Sequence, residues 1–306
     1  MCLTCYERNS PARKHARHTV LLGRTLPEPL VSVPLKRADT RLRYGGSWFA
    51  AASALPLTGG FLQPGRAASL LAAVLMRPQH ALAFILLLAR TKSERVALSR
   101  SCTGRVLSAY LDERSWGLVP RNRFCRGVLL LPEHHAEYVR GRHRQALRTN
   151  LRRAEAAGIR CETISDASRA FDDLTEINKH RRMQLTGAEL PVPPSWREML
   201  ARPEMTLFVS RDRSQRPLAI TAAVIDESVC LIRVAVANTH EARWALHDYV
   251  VQILIGRGVK YLFVDGGGPF GALGLSAGAR YYQHLLGYEL RHLRPLTSRR
   301  LAADAV

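Results

Sequence analysis

Five arginines crowd one short stretch of this chain: Arg142, Arg144, Arg148, Arg152 and Arg153. Leu147, Leu151 and Ala154 recur there at i, i+4 and i+7, the spacing of a helix seam that packs inward. Arg148, Arg152 and Arg153 then stand off that seam. A guanidinium fork matches phosphate oxygens with two parallel hydrogen bonds, so phosphate binding is one role for them. A solvated polar face has the same pattern, and spacing alone leaves both roles open.

A second chemical feature is the run Asp265-Gly266-Gly267-Gly268-Pro269-Phe270-Gly271. It lacks GxxxxGK[ST], and Pro269 interrupts its GxGxxG-like match, so a tight turn after a strand is the plainer reading. Asp265 stands at the strand end, where a carboxylate can cap that turn. His247 and Asp248 fall inside a long apolar helix, where His247 is a candidate base; a satisfied buried histidine is the commoner case. There is no HExxH, no GxSxG and no paired-cysteine metal motif, which leaves hydrolase and metalloenzyme readings without support and no metal expected. The CxxC of Cys2 and Cys5 has no second pair to complete a zinc site.

The bulk properties narrow the classes. In 306 residues, 47% are apolar and 23% charged, an ordinary folded composition rather than a disordered or fibrous one. Forty-five basic against 25 acidic residues leave a formal charge of +20, which favours a polyanionic partner: nucleic acid, nucleotide phosphates or an acidic membrane face. Six scattered cysteines without a secretory signal read as a reduced, cytoplasmic chain.

The patterning divides the chain into three segments. Residues 1–60 are a basic, Pro-containing extension. Residues 61–120 are an apolar helical segment whose two halves, Ala67–Met76 and Ala81–Ala89, are each too short to span a bilayer. Residues 121–306 alternate strands and helices. Strands are predicted at Cys125–Leu131, Ile159–Ile164, Thr206–Ser210, Pro217–Ile225, Ser228–Val236, Lys260–Val264 and Tyr288–Leu293. Helices are predicted at Glu133–Ala157, Ser168–Leu185, Trp196–Leu200, Thr239–Gly256 and Ala279–Leu286, with Asn238 capping the fourth. The three closely spaced strands between 206 and 236 make an antiparallel meander, and the whole is a mixed α/β fold with an antiparallel centre.

The string Gln145-Ala146-Leu147-Arg148-Thr149-Asn150-Leu151-Arg152-Arg153-Ala154-Glu155-Ala156-Ala157-Gly158 resembles the first helix of the Fem-like branch of the GNAT acyltransferase superfamily, the branch of peptidoglycan-bridge aminoacyltransferases. The helix Ala245–Gly256 followed by Gly258–Gly267, and the closing segment Tyr281–Glu289, are similar to the family's later elements. Together these cover roughly residues 123–294.

The resemblance implies a GNAT-like sheet and transfer of an acyl or aminoacyl group onto an amine, drawn from acyl-CoA or from charged tRNA. It implies an acceptor-side loop at Gly266, Gly267 and Gly268, and Asp265, Tyr282 and His247 as candidates for handling the acceptor. Donor phosphates fall to Arg148, Arg152, Arg153, Asn238 and Arg243. The sequence departs from the family at two places. The turn Ala237–Trp244 lacks the glycines that let backbone approach a pyrophosphate. The position of the family's acid or lysine is Gln283, which delivers no proton at neutral pH, leaving Tyr282 and His284 on either side.

The expected activity is therefore N-acyl transfer from acyl-CoA to a small-molecule or peptide amine. Aminoacyl transfer from charged tRNA stands as the alternative. A non-catalytic nucleic-acid-binding module on the same fold, and an enzyme touching a membrane surface through residues 67–89, complete the range.

Overall fold

Leu218–Ile225 and Val229–Ala237 are apolar at almost every position, the mark of strands covered on both faces. The computed structural model describes residues 91–115, 119–120, 126–186, 192, 195–265 and 277–296 and places those runs at the middle of a sheet. The strands are β1 (Ser93–Val96), β2 (Arg114–Ser115), β3 (Val119–Pro120), β4 (Arg126–Leu130), β5 (Arg160–Ile164), β6 (Met205–Arg211), β7 (Pro217–Ile225), β8 (Val229–Ala237), β9 (Tyr261–Val264) and β10 (Glu289–Pro295). The helices are α1 (Cys102–Asp112), α2 (His135–Tyr138), α3 (Gln145–Ala156), α4 (Ala167–Thr186), α5 (Ser195–Leu200), α6 (His240–Gly256) and α7 (Ala277–Leu285).

Eight strands form one mixed sheet in the order β1-β10-β4-β9-β8-β7-β6-β5, while β2 and β3 pair separately. From β5 to β8 every pairing is antiparallel, as the spacing of the meander predicts. β8 and β9 are parallel, so the chain must cross between them, and α6 is that crossover. The fold is thus the mixed, centrally antiparallel sheet with flanking helices expected from the sequence. The glycine loop 266–268 and the segment 1–90 lie outside the described residues, while β1 and α1 are built into the sheet's own layers.

Alternation along the strands separates two apolar faces. Leu129, Phe208, Cys230, Ile232 and Leu262 point to the face covered by α3 and α6. Val128, Leu231 and Phe263 point to the other, where Leu107, Tyr110 and Leu111 of α1 pack; further along that face α4 and α5 cover Leu207, Val209, Ile220 and Val234. α6 is apolar around most of its girth, with Ala242, Trp244, Leu246, His247, Val250, Val251 and Leu254 buried, because it is covered by the sheet and by helices on both flanks.

Two local expectations are corrected. The single helix expected over Glu133–Ala157 is broken into α2, a 3-10 turn at Arg142–Arg144, and α3. Gly141, at φ 95°, supplies the break, a backbone state closed to most side chains and invisible to apolar spacing. The cap of α6 is Thr239, not Asn238: its hydroxyl accepts from the Ala242 N–H at 3.2 Å.

α1 carries Tyr110, so its anchorage fixes where that phenol can reach. Its first turn is fastened to the β7–β8 turn by one carboxylate. Asp226 accepts from the Ser99 N–H at 2.8 Å, the Ser99 hydroxyl at 2.5 Å, Thr103 at 3.2 Å and Ser101 at 3.3 Å. Burial pushes the Asp226 carboxyl up, but the hydrogen bonds from Ser99, Thr103 and Ser101 outweigh it and hold the group below its usual range. The stability this contributes is present above the unfolded value near 3.9 and is lost as pH falls through the lower folded value. Asp226→Ala should cost about 2 kcal/mol in urea unfolding at neutral pH, since it leaves several donors unmatched at one point. The penalty should shrink when the same comparison is made near pH 3.

Candidate functional site

The sheet opens where β8 outruns β9. Their register pairs Val229 with Tyr261 and ends with Ile232 opposite Val264, and the Asp265 N–H adds one more bond to the Ile232 carbonyl at 2.7 Å. β8 continues to Ala237, and among the described residues no strand pairs with Arg233–Ala237 on that side. A bulge sits at the same point. Ala222 faces Val234 and Ala223 faces Ile232, so Arg233 is an extra residue in β8. Bulges bend a strand and sharpen its twist, and here the bend begins where the parallel pairing stops.

A polar network occupies the α1 side of this point. Tyr110 donates its hydroxyl to Asp265 Oδ1 at 2.5 Å, and Arg126 Nη1 donates to the Tyr110 oxygen at 3.0 Å. Arg233 Nε lies 3.3 Å from Asp265 Oδ2. Continuing the Val128–Phe263 register by two residues sets Arg126 across from Asp265, which is why β4 reaches this site at all. Both guanidiniums also stack on Tyr110, at 4.9 Å for Arg126 and 5.2 Å for Arg233. Arg126 is only 4% exposed. Tyr110, Arg126 and Arg233 were not foreseen from the sequence. The visible signal was a charged residue inside an otherwise apolar strand, once in β4 and once in β8.

The other candidates for acceptor handling lie across the sheet. Tyr282 on α7 and Trp244 on α6 meet edge to face at 4.9 Å, and His247 lies 6.3 Å from Tyr282. Tyr282 donates to the Arg243 carbonyl at 3.3 Å, and the Arg243 guanidinium sits 3.7 Å above its ring. The structure therefore brings Tyr282, His247 and Arg243 together but holds Asp265 apart from them, on the α1 face. Burial raises the Tyr282 phenol well above its ordinary range, against the pull of Arg243, so it stays protonated. Gln283 is buried, and a Cβ on Gly127 would lie 2.4 Å from its Oε1, so its amide is packed flat against β4.

Arg144 belongs to the same side. It is 8% exposed, stacks 4.8 Å from the Tyr138 ring, and its Nε and Nη1 are buried without a hydrogen-bond partner among the described residues. It fits only because position 287 is glycine: a Cβ there would come within 2.2 Å of Nη2, and φ at Gly287 is 81°. The remaining arginines divide by role. Arg148 donates to the carbonyls of Val139 and Gly141 at 2.8 and 2.7 Å, tying α3 to the glycine break. Arg152 and Arg153 are exposed and carry neither hydrogen bond nor ion pair among the described residues. Asn238 sits just ahead of the α6 cap, its N–H bonded to the Leu218 carbonyl at 3.0 Å. Among the described residues no three His, Cys, Asp or Glu side chains gather as metal ligands, and no helix is long and apolar enough to cross a membrane.

No family model and no curated protein matches this chain. Solved structures that superpose on it include the C-terminal domain of a protein described as a lysylphosphatidylglycerol synthetase from Agrobacterium fabrum, at 13% identity, 55% of this chain, 58% of that one and a TM-score of 0.40. Another is L-PGS from Bacillus licheniformis, at 13% identity, 55% and 57% coverage and a TM-score of 0.40. A GCN5-related N-acetyltransferase from Kribbella flavida superposes at 15% identity, 44% and 47% coverage and a TM-score of 0.28. The matched part spans less than two thirds of each of these chains, and superpositions of this extent carry no argument about activity.

His247 offers a direct check on the packing. Burial first, then the charges of Arg243 and Arg144, push its imidazole down to about 3. The unfolded chain takes up that proton below about pH 6.5 while the folded chain resists it, so stability is full above that pH and falls as pH drops toward 3. His247→Gln should flatten this part of the curve by up to about 1.4 kcal/mol per pH unit in urea unfolding. An unchanged curve would place the imidazole in contact with water.

Proposed function

We propose that this chain is an N-acyltransferase that moves an acyl group from an acyl-CoA thioester to an amine by direct attack. The observation that carries the reading is the gap where β8 runs on past β9, with Asp265 at its apex. A linear donor lying in that gap meets the N–H and C=O groups of Arg233–Ala237, groups that need a partner when water is excluded. Its phosphates are directed toward the start of α6, where the helix dipole, Asn238 and Arg243 are placed to receive them. The sequence strings shared with the GNAT superfamily support the same assignment, and the Fem-like branch rests on those strings alone.

In this reading the amine lone pair attacks the thioester carbonyl carbon, the C–S bond breaks, and the proton lost by the amine nitrogen passes through water to the departing thiolate. Asp265, aimed by Tyr110 and Arg233, orients the incoming amine.

A second donor fits one specific observation. Arg152 and Arg153 project unpaired from α3 in a chain of charge +20, an arrangement suited to the backbone of charged tRNA. Binding of acetyl-CoA, a long-chain acyl-CoA and bulk tRNA across a salt series separates the two. Saturable acyl-CoA binding that survives moderate salt is the expected result. Tyr110→Phe, which removes only the hydroxyl aiming Asp265, should then slow transfer about tenfold at unchanged donor affinity, one charge-assisted hydrogen bond's worth. Tight, steeply salt-dependent tRNA binding that Arg152→Ala with Arg153→Ala weakens, without acyl-CoA binding, would transfer the assignment to aminoacyl-tRNA. Binding of neither overturns both.

A further inference from the structure

Arg144 carries a buried charge that the described residues do not answer. Its guanidinium is clamped between the Tyr138 ring and the backbone of Gly287, where any Cβ would overlap Cζ, Nη1 and Nη2. Nε and Nη1 are buried without a hydrogen-bond partner, and no carboxylate pairs with the group among the described residues. Burial lowers the guanidinium from its usual range, and the fields that oppose this come from two phenols, Tyr138 and Tyr288. Asp248, whose field reaches Tyr138, is engaged instead by His135 at 3.0 Å. A guanidinium held out of water without a counter-charge is strongly unfavourable. The Tyr138 hydroxyl, on the ring that the guanidinium stacks against, is likewise buried and unpartnered among the described residues.

The clamp leaves one end of the fork open. Nη2 also lacks a hydrogen bond among the described residues but, unlike Nε and Nη1, keeps some exposed surface. An oxyanion arriving at Nη2 finds an Nη1–H beside it and parallel, the geometry of a two-point carboxylate contact. The surroundings set the ligand's charge. One guanidinium among aromatic rings, near a His247 held neutral, offers a single positive charge. A monoanion cancels that charge and a phosphate dianion overshoots it. A halide has the right charge but lacks the paired oxygens that match the fork.

This place is distinct from the gap between β8 and β9. Gly287 lies two residues ahead of Glu289, which faces Val128, and so stands toward the Leu130 end of β4. Asp265 stands at the Arg126 end, on the other face of the sheet. Four residues of strand separate those ends by about 13 Å.

We infer that Arg144 anchors a carboxylate-binding site, in which Nη1 and Nη2 take the two oxygens and the Tyr138 hydroxyl donates to one of them. The site stands whether or not the gap between β8 and β9 transfers an acyl group. Its ligand is a small free carboxylate or the carboxylate end of a longer molecule, and the two differ in what lies beyond the fork.

The test uses the full chain in a low-salt buffer free of carboxylates, with acetate, hexanoate, chloride and inorganic phosphate as probes. Calorimetric titration should show saturable acetate binding, with chloride and phosphate at least about tenfold weaker, the loss expected when the two-point contact is not made. Hexanoate equal to acetate identifies a free small carboxylate, and hexanoate about tenfold tighter identifies the end of a longer molecule. Arg144→Lys, which keeps the charge and loses the fork, and Tyr138→Phe, which loses only the hydroxyl, should each weaken acetate about tenfold. In urea unfolding, acetate should raise the wild-type midpoint above that in equal chloride and leave Arg144→Met at its chloride value. Absence of saturable acetate binding up to about 50 mM, equal affinity for chloride, or an acetate affinity unmoved by Arg144→Lys would each overturn the assignment.

Discussion

The parallel pairing of β8 with β9 is the constraint on which the rest of this structure depends. Two parallel neighbours cannot be joined by a turn, so a long crossover must lie over the sheet, and α6 fills that place. Because α6 is pressed on the sheet below and on α3 and α7 beside it, nearly all of its faces have to be apolar. The same pairing stops after four residues, and the bulge at Arg233 turns β8 away from its partner. Core, crossover and cleft are thus consequences of one hydrogen-bonding arrangement.

The two sides of the sheet use charge differently. On the α1 side, Asp265 is shared between a phenol and a guanidinium while Arg126 stacks on the same phenol, so a short chain of groups fixes the carboxylate's direction. On the α6 side, Arg144 is buried against an aromatic ring and a glycine turn with no carboxylate beside it among the described residues, and His247 is kept neutral. The first arrangement holds an anion in place. The second concentrates positive potential in a region of low polarity, where it acts on any neighbouring group that titrates.

Much of the backbone was legible from the sequence because its signals are local. The meander from Met205 to Ala237 shows as apolar runs parted by Asp212–Arg216 and Asp226–Glu227, and β6, β7 and β8 match their expected bounds within a residue or so. The break at Gly141 was not legible, since a glycine's φ leaves no trace in periodicity. Nor was the site's network. Asp265 drew notice as the residue before a glycine run, but Tyr110 lies 155 positions away, and only the docking of α1 on β4 and β9 joins them.

The outer side of β5 bears on how the molecule behaves in a crowded solution. Among the described residues β5 ends the sheet, so its outward N–H and C=O groups offer a template to any extended chain that approaches. The strand is short, and Arg160 and Glu162 stand exposed along it, with Arg211 and Arg169 gathered close to Glu162. A second copy docking edge to edge would have to strip water from these charges and set like against like. The boundary of the sheet is thereby guarded against growth into a filament, a protection that a neutral β5 of equal strand propensity would not give.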